Sequence, residues 1–269
     1  GVRIFINPGH GGYDSDDRNV VIAPFTSGDQ NGFWESKSNL DKGFTLRSML
    51  LTHNADAMMS RTKNTTSDDL PLSAIVQMAN EYNADFMLSI HSNAGAGSAN
   101  HVLMLYSGVD TGDTHVYPTP TPYSELSKAI STEIAKNLYS NQITAWSSSY
   151  SVRGDKTFGR VAMDNWSDGY GVLRGLTVPG VISEGSMHDY IPETYRLMNM
   201  DYKRLEAWHF LKSFATYFKT AALSTGNIAG SVRDKYLFNE ASYFKLPNSK
   251  DLYLPVNGAT VTIIPGDSV

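Results

Sequence analysis

Two histidines and two glutamates of the sequence are candidates for metal binding and proton transfer: His10, Glu35, His91 and Glu184. Two His and one Glu are a common ligand set for catalytic zinc, and they leave one position open for water. Because the sequence contains no cysteine, a zinc ion would have to be bound by His, Asp or Glu. His10, Glu35 and His91 supply that set, and Glu184 would then be the general base that takes a proton from the metal-activated water.

Each of these residues also has a structural alternative. A histidine after a strand is commonly a hydrogen-bonding residue of the fold, and Glu35 would be favoured at a helix N-terminus by the helix dipole. Glu184 could cap a helix. The metal site is favoured by the four residues jointly, since His10 and Glu184 each follow a predicted strand and His91 ends a third one.

Strand and helix signals alternate along the first 222 residues, and this alternation predicts the scaffold for that site. Short apolar runs predict strands at residues 2–6, 57–59, 85–91, 102–106 and 181–183. Apolar residues at helical spacing predict helices around residues 40–51, 72–79, 126–138 and 205–218. We therefore expect an α/β fold, a twisted and mostly parallel sheet with helices on both faces, in which strand 102–106 neighbours strand 85–91. Ligands bind such sheets at the carboxyl ends of the strands.

Composition narrows the function classes. The chain has 269 residues, and 22 Lys and Arg against 27 Asp and Glu give a net charge of −5, which argues against nucleic acid or an anionic membrane as the main partner. With 41% hydrophobic and 18% charged residues, it is neither disordered nor fibrous. No apolar run approaches the roughly 18 residues of a membrane-spanning helix. The oligomeric state is left open.

Four sequence blocks resemble the signature blocks of the zinc-dependent N-acetylmuramoyl-L-alanine amidases, the amidase-3 family. They are Asn7-Pro8-Gly9-His10-Gly11-Gly12, Glu35 with Asn39-Leu40, Ser89-Ile90-His91-Ser92-Asn93-Ala94 and Val178-Pro179-Gly180-Val181-Ile182-Ser183-Glu184. Three shorter blocks, at residues 60–62, 78–80 and 171–174, also fit the family. The resemblance covers about residues 2–220. It implies zinc bound by His10, Glu35 and His91 and a catalytic Glu184. The implied substrate is peptidoglycan, cleaved between the lactyl group of N-acetylmuramic acid and L-alanine.

The sequence departs from the family pattern at two places. Residues 13–33 form an apparent insertion between His10 and Glu35, so Asp14, Asp16 and Asp17 are alternative ligands to Glu35. His188 follows the last block where many members have a different run. It could donate a proton or contact an oxyanion near Glu184, or it could orient the following helix.

Further substrate contacts are open to two interpretations. Asn93 could position water or substrate, or it could satisfy loop backbone groups, and Arg174 could bind a substrate carboxylate or form a structural salt bridge. Aromatic residues could line a sugar-binding groove or pack against the domain: Trp146, Tyr150, Phe158, Trp166 and Tyr170. Gly266-Asp267-Ser268 resembles a lipase nucleophile motif but lies at the C-terminal end instead of after a first strand.

The C-terminal residues differ in character from the rest. We expect a catalytic domain at residues 1–222, followed by a linker and a short β segment at residues 223–269, with strands at 228–232 and 259–264. Residues 230–234 and 254–261 resemble the opening strands of a carboxypeptidase-regulatory-like β-sandwich. This tail either docks on the main domain or begins a second β domain.

We expect an exported protein of the periplasm or cell envelope, because the abundant Ser, Thr, Asn and Tyr residues suit one. Gly1 leads directly into a strand, as in a mature form from which a signal peptide has been removed. Two other functions remain open. One is a zinc peptidase or amidohydrolase of different specificity on the same scaffold, and the other is a non-catalytic module that binds the cell wall.

Overall fold

The computed structural model describes residues 1–140, 150–162, 168–262 and 264, and these contain ten strands and six α-helices. The strands are β1 (Arg3–Pro8), β2 (Asn19–Val20), β3 (Phe33–Trp34), β4 (Asp56–Met59), β5 (Phe86–Asn93), β6 (Val102–Tyr106), β7 (Tyr150–Gly154), β8 (Gly180–Met187), β9 (Arg233–Phe238) and β10 (Tyr253–Pro255). The helices are α1 (Glu35–Thr52), α2 (Leu72–Tyr82), α3 (Ser124–Ser140), α4 (Asp155–Ala162), α5 (Ile191–Met198) and α6 (Met200–Tyr217).

Six strands form the central sheet in the order β4-β1-β5-β8-β6-β7. Strands β4, β1, β5 and β8 are parallel, whereas β6 is antiparallel to β8 and β7 is parallel to β6. The mostly parallel α/β fold is confirmed. The expected pairing of strand 102–106 with strand 85–91 is wrong, because β8 lies between them. As a result β1, β5 and β8 are adjacent, and their carboxyl ends meet at one edge.

Alternating strand residues divide the core into two layers, one on each face of the sheet. Ile4 and Ile6 of β1 pack with residues of α1, α3 and α6 on one face. Phe5, which points the other way, packs with residues of α2 and with the segment at 172–178. Helices therefore cover both faces, as the alternation of strand and helix signals predicts.

Helix α1 forms where the spacing predicts it, but its buried side is different. Phe44 and Leu51 are 41% and 44% exposed, and the buried side carries polar residues together with Leu46 and Leu50. Among them is Lys42, which is fully buried and lies 2.9 Å from Glu206 of α6. The buried side of α1 is partly polar because it carries Glu35, which the helix supplies to the functional site from its N-terminus. The buried cation of Lys42 is tolerated because Glu206 pairs with it.

The C-terminal segment docks on the main domain through a buried carboxylate. Asp251 is 1% exposed and accepts hydrogen bonds from Arg196 at 2.7 Å, from the Tyr190 hydroxyl at 2.9 Å and from Arg233 at 3.3 Å. Tyr190 and Arg196 lie at the N-cap and in the last turn of α5. The segment therefore contacts the element that follows β8.

The strands of this segment are not those expected from the sequence. No strand forms in the described residues at 228–232 and 259–264, of which residue 263 lies outside the described part. The strands are β9 and β10 instead, paired antiparallel, and the Arg233 side chain donates to the Tyr253 carbonyl oxygen across the pair. This pairing extends strand structure past Val232. A β-sandwich beyond this pair stays a prediction.

None of the helices in the described ranges combines the length and the apolar character needed to cross a membrane.

Asp251→Ala should lower the free energy of unfolding by about 3 kcal/mol, because it removes the buried acceptor of two guanidinium groups. Denaturant unfolding measures the change. Asp201→Ala is the control, since Asp201 pairs with Arg204 on the surface, where the side chains are 85% and 60% exposed. It should cost less than about 1 kcal/mol. Equal losses in the two variants would contradict docking through Asp251.

Candidate metal centre and catalytic cleft

The adjacent ends of β1, β5 and β8 bring three of the predicted side chains together. His10 follows β1 and has a positive φ of 62°, while the Gly9 amide donates to the Ile90 carbonyl oxygen and keeps this turn against β5. His91 lies in β5, opposite Glu184 of β8 in the parallel register. Glu184 is therefore inside its strand, whereas the sequence predicts a position after it. The difference arises because β8 pairs with β5 as far as Met187.

The donor atoms of His10, Glu35 and His91 lie within 4.8 Å of one another. His10 Nε2 is 3.4 Å from Glu35 Oε2, and His91 Nδ1 is 3.3 Å from Glu35 Oε1. The Glu35 side chain is only 2% exposed, whereas the two imidazoles are 15% and 18% exposed and face the cleft. Two imidazole nitrogens and one carboxylate fit a divalent transition metal with an open position.

The protonation states of this cluster also fit a metal site. Burial opposes ionisation of Glu35, but hydrogen bonds from His10 and His91 outweigh it and hold the pKa of Glu35 well below its usual value. Burial lowers the pKa of His91 and favours its neutral ring. The pKa of His10 is raised, because the hydrogen bond and the charge of Glu35 outweigh burial. An ionised carboxylate and neutral imidazoles are the forms that bind metals, so a cation would displace the proton from His10.

Glu184 has a buried oxygen that nothing in the described protein satisfies. Its Oε2 atom lacks a hydrogen-bond partner among the described residues, and burial, together with the charge of Glu35, raises the pKa of Glu184 to about 8. A buried carboxylate of this kind needs a cation or a proton nearby. A cation held by the adjacent cluster would meet this need.

The cluster and Glu184 open into one cleft of about 740 Å³. Its walls come from the segment after β1, from the residues before α2 and from the segment that carries Tyr170. This volume is in the range that small-molecule sites occupy. The arrangement therefore has a cluster that could hold a metal ion, a buried carboxylate with a raised pKa and room for a small molecule at the same edge of the sheet.

Residues 4–213 match the sequence profile of Amidase_3, described as N-acetylmuramoyl-L-alanine amidase. The chain belongs to this family. It is 38% identical over 99 residues to the N-acetylmuramoyl-L-alanine amidase CwlM of Bacillus licheniformis, covering 36% of this chain and 34% of that protein. It is 25% identical over 197 residues to a sporulation-specific N-acetylmuramoyl-L-alanine amidase of Bacillus subtilis (strain 168), covering 73% of this chain and 60% of the relative. The chain thus spans about a third and three fifths of these relatives.

Solved amidase structures share the fold of this chain. An N-acetylmuramoyl-L-alanine amidase from Clostridium difficile 630 superposes with a TM-score of 0.60 at 20% identity, covering 82% of this chain and 98% of that one. The catalytic domain of CwlV from Bacillus (Paenibacillus) polymyxa var. colistinus gives 0.56 at 18% identity, covering 82% and 99%. The α/β architecture is therefore that of amidase catalytic domains.

In this member of the Amidase_3 family, Arg61 joins the two segments that carry His10 and Glu35. Its buried guanidinium donates to the carbonyl oxygens of Pro8 at 2.9 Å, Gly9 at 3.1 Å and Ser36 at 2.7 Å. Burial lowers the pKa of Arg61 to about 10, which still leaves it charged at neutral pH. The block at residues 60–62 marks this arginine in the sequence, but its role depends on carbonyl groups from distant segments.

Glycine at position 9 is required by a close approach. A Cβ atom on Gly9 would overlap the ring of His91. The Pro8-Gly9-His10 turn can therefore bring its imidazole beside that of His91, with the ring centroids 5.1 Å apart, only because Gly9 has no side chain.

The cleft is lined by only some of the residues predicted to contact substrate. Asn93 lines it, and its Oδ1 atom accepts from the Ala94 amide at 2.8 Å. Arg174 is not among the lining residues, and its guanidinium lies 3.6 Å from Asp168 and donates to the Gly169 carbonyl oxygen. The proposed contact of either residue with substrate stays a prediction.

His188 lines the cleft and lies against Glu35. Its Nδ1 atom is 2.7 Å from the Ser92 carbonyl oxygen and 3.6 Å from Glu35 Oε2, and its ring stacks on Phe33. The Ser92 amide donates in turn to Glu35 Oε1 at 2.8 Å. These contacts suit a residue that holds Glu35 in place, and a direct role of His188 toward substrate stays a prediction.

The three aspartates considered as alternative ligands do not join the donor cluster found among the described residues. Asp17 is buried and accepts from the Gly11 and Asp14 amides at 2.9 and 2.7 Å, so it shapes the loop around His10. Asp16 lines the cleft, with its carboxylate 3.9 Å from His10 Nδ1. Glu35 is therefore the carboxylate that the fold places between the two histidines.

Of the described aromatic residues that could line a sugar-binding groove, one lies in the cleft lining. Tyr170 lines it and packs, like Phe158, against the core layer that contains α2. Tyr150 contacts Tyr139 instead. Trp146 and Trp166, as well as the motif at 266–268, lie outside the described residues.

Arg61→Met should weaken divalent-metal binding about tenfold or more, because it releases the carbonyl groups that hold the His10 and Glu35 segments together. Competition against a chromophoric chelator measures the affinity, and circular dichroism checks the fold. Lys63→Met, an exposed change two residues away, is the control and should bind metal normally. Normal binding by Arg61→Met would contradict this role.

Proposed function

We propose that the chain is a zinc-dependent N-acetylmuramoyl-L-alanine amidase. It hydrolyses the amide between the lactyl group of N-acetylmuramic acid and the L-alanine of the peptidoglycan stem peptide. The observation that carries the proposal is the cluster of His10, Glu35 and His91 beside Glu184, whose Oε2 atom has no hydrogen-bond partner among the described residues, in a chain of the Amidase_3 family.

His10, Glu35 and His91 would hold the zinc ion. The donor set, with two nitrogens and one oxygen, is a usual one for catalytic zinc, and the cleft side of the cluster is left for water and substrate. When bound, a zinc ion polarises the scissile carbonyl and lowers the pKa of water toward about 7.

Glu184 moves the proton. It accepts a proton from the attacking water as the new carbon–oxygen bond forms, and it donates that proton to the nitrogen of L-alanine as the carbon–nitrogen bond breaks. The products are the lactyl carboxylate and a free amine. A carboxylate with a pKa raised by burial is suited to both halves of this transfer, because it holds the proton more readily than an exposed glutamate does.

Contacts at both carboxylate oxygens orient the Glu35 side chain. Oε1 accepts from the Ser92 amide at 2.8 Å and from Asn39 Nδ2 at 3.3 Å, while Oε2 faces His10 and His188. Hydrogen bonds from beyond the ligand set fix the direction of a metal-binding carboxylate and tune its basicity. The scaffold thus supplies the supporting contacts that a catalytic metal site needs.

Export to the periplasm or cell envelope is part of this proposal. Peptidoglycan lies outside the cytoplasmic membrane, so an enzyme with this substrate must reach it there. The absence of cysteine is compatible with an oxidising compartment.

Glu184→Gln should keep one zinc ion per chain and lose at least a hundredfold in kcat, because the general base is removed while the ligands remain. Mass spectrometry of muropeptides after incubation measures turnover, and elemental analysis measures zinc. Turnover that survives this change would remove Glu184 from the mechanism. Zinc binding without any muropeptide turnover by the unaltered protein would favour a wall-binding module instead.

Glu35→Ala should lose zinc, since it deletes the carboxylate between the two histidines. Chelation of the unaltered protein should likewise abolish turnover, and added zinc should restore it. Elemental analysis and the same muropeptide assay test both statements. Stoichiometric zinc in Glu35→Ala would exclude Glu35 as a ligand, and full activity after chelation would exclude the metal mechanism.

A further inference from the structure

Apart from Glu35 and Glu184, the carboxylate and guanidinium side chains that line the cleft belong to two arginines and three aspartates: Arg18, Arg61, Asp16, Asp68 and Asp69. Arg61 is buried, and its donors are committed to main-chain carbonyl oxygens and to Asn64 Oδ1. The Arg18 side chain is 51% exposed, and its one ion-pair partner among the described residues is Asp16, at 3.4 Å. Asp16 is itself 67% exposed, so this pair is weak and open to competition from another carboxylate.

Arg18 lies directly beside the metal cluster. Its carbonyl oxygen accepts from the Glu35 amide at 3.3 Å. One carboxylate, that of Asp16, reaches both the Arg18 guanidinium at 3.4 Å and His10 Nδ1 at 3.9 Å. The guanidinium is therefore separated from a metal-cluster imidazole by the width of one carboxylate group.

The backbone that carries Arg18 is held firmly on both sides. Before it, the Asp17 carboxylate is buried and bonded to the Gly11 amide. After it, Asn19 pairs with Trp34 across β2 and β3 and donates from its side chain to the Phe33 carbonyl oxygen. A fixed backbone lowers the entropy cost of presenting this guanidinium to a ligand.

A guanidinium in this position suits a carboxylate, which it can bind through two parallel hydrogen bonds. Asp68 and Asp69, also in the cleft lining, repel anions there and leave Arg18 as the favourable place for one. The sugars of peptidoglycan next to the scissile amide are uncharged. The second residue of the stem is a γ-linked D-glutamate whose α-carboxyl is either free or amidated, roughly 7 Å from the scissile nitrogen in an extended chain.

We propose that Arg18 binds the free α-carboxylate of the second stem residue and so makes the enzyme prefer acidic over amidated stem peptides. This inference rests on the proposed amidase function and adds the substrate class. Arg18 belongs to the segment at 13–33, which the sequence predicts to be an insertion relative to the family pattern.

The test compares two muropeptides that differ only in a carboxylate or a carboxamide at this position. The unaltered protein should show a kcat/KM about tenfold or more higher for the acid, and Arg18→Gln should bring the ratio close to one. Arg18→Lys should retain part of it, as a point charge without the bidentate fork. Arg204→Gln, also exposed and also paired with an aspartate, is the matched control and should keep the full ratio.

Three results would overturn the assignment. They are a ratio near one in the unaltered protein, an unchanged ratio in Arg18→Gln, and a loss of the ratio in Arg174→Gln with Arg18→Gln unaffected. If neither muropeptide is cleaved by the zinc-loaded protein, the amidase function fails. Calorimetry then tests the role of Arg18 separately, by measuring the binding of the dipeptide L-Ala-γ-D-Glu and of its α-amide. Tighter binding of the acid by the unaltered protein, and equal binding of both by Arg18→Gln, would support the assignment.

Discussion

The site depends on one buried charge, the carboxylate of Glu35. Burying an ion is costly unless charged and hydrogen-bonding partners surround it. The fold assembles those partners from separate places in the chain, since His10 follows β1, His91 and the Ser92 amide belong to β5, and Asn39 lies one turn along α1. The order of the central strands, with β1, β5 and β8 adjacent, is what makes this assembly possible.

The surroundings of Glu35 and Glu184 shift the pKa values of these two neighbouring carboxylates in opposite directions. Glu35 is surrounded by donors and its pKa lies well below the usual value, whereas burial raises that of Glu184 to about 8. In the proposed mechanism this divergence distinguishes Glu35, an ionised metal ligand, from Glu184, which exchanges protons near neutral pH. Glu184 sits in a strand between two paired neighbours, so its side chain is held toward the cleft by the sheet itself.

The features of the fold and of the site that could be predicted are those with a local sequence pattern. Strand-ending turns and helical spacing predicted α1, β5 and the positions of His10, His91 and Glu35 at one edge of the sheet. Long-range contacts have no local signature, which is why the insertion of β8 between β5 and β6 and the strand limits after Val232 were missed. The buried ion pair of Lys42 with Glu206 was likewise hidden, since it depends on two helices packing side by side.

The central sheet and the loops contribute different groups to the cleft. Sheet-borne groups such as His91 and Glu184 have registers fixed by strand pairing, which suits chemistry that tolerates little displacement. The segment at 13–33 lies outside the sheet, yet a buried Asp17 on one side of Arg18 and the β2–β3 pairing on the other give it comparable rigidity. Arg18 contacts Glu35 through its backbone carbonyl oxygen, so its side chain can change what is recognised without breaking this contact with a residue proposed to hold the metal.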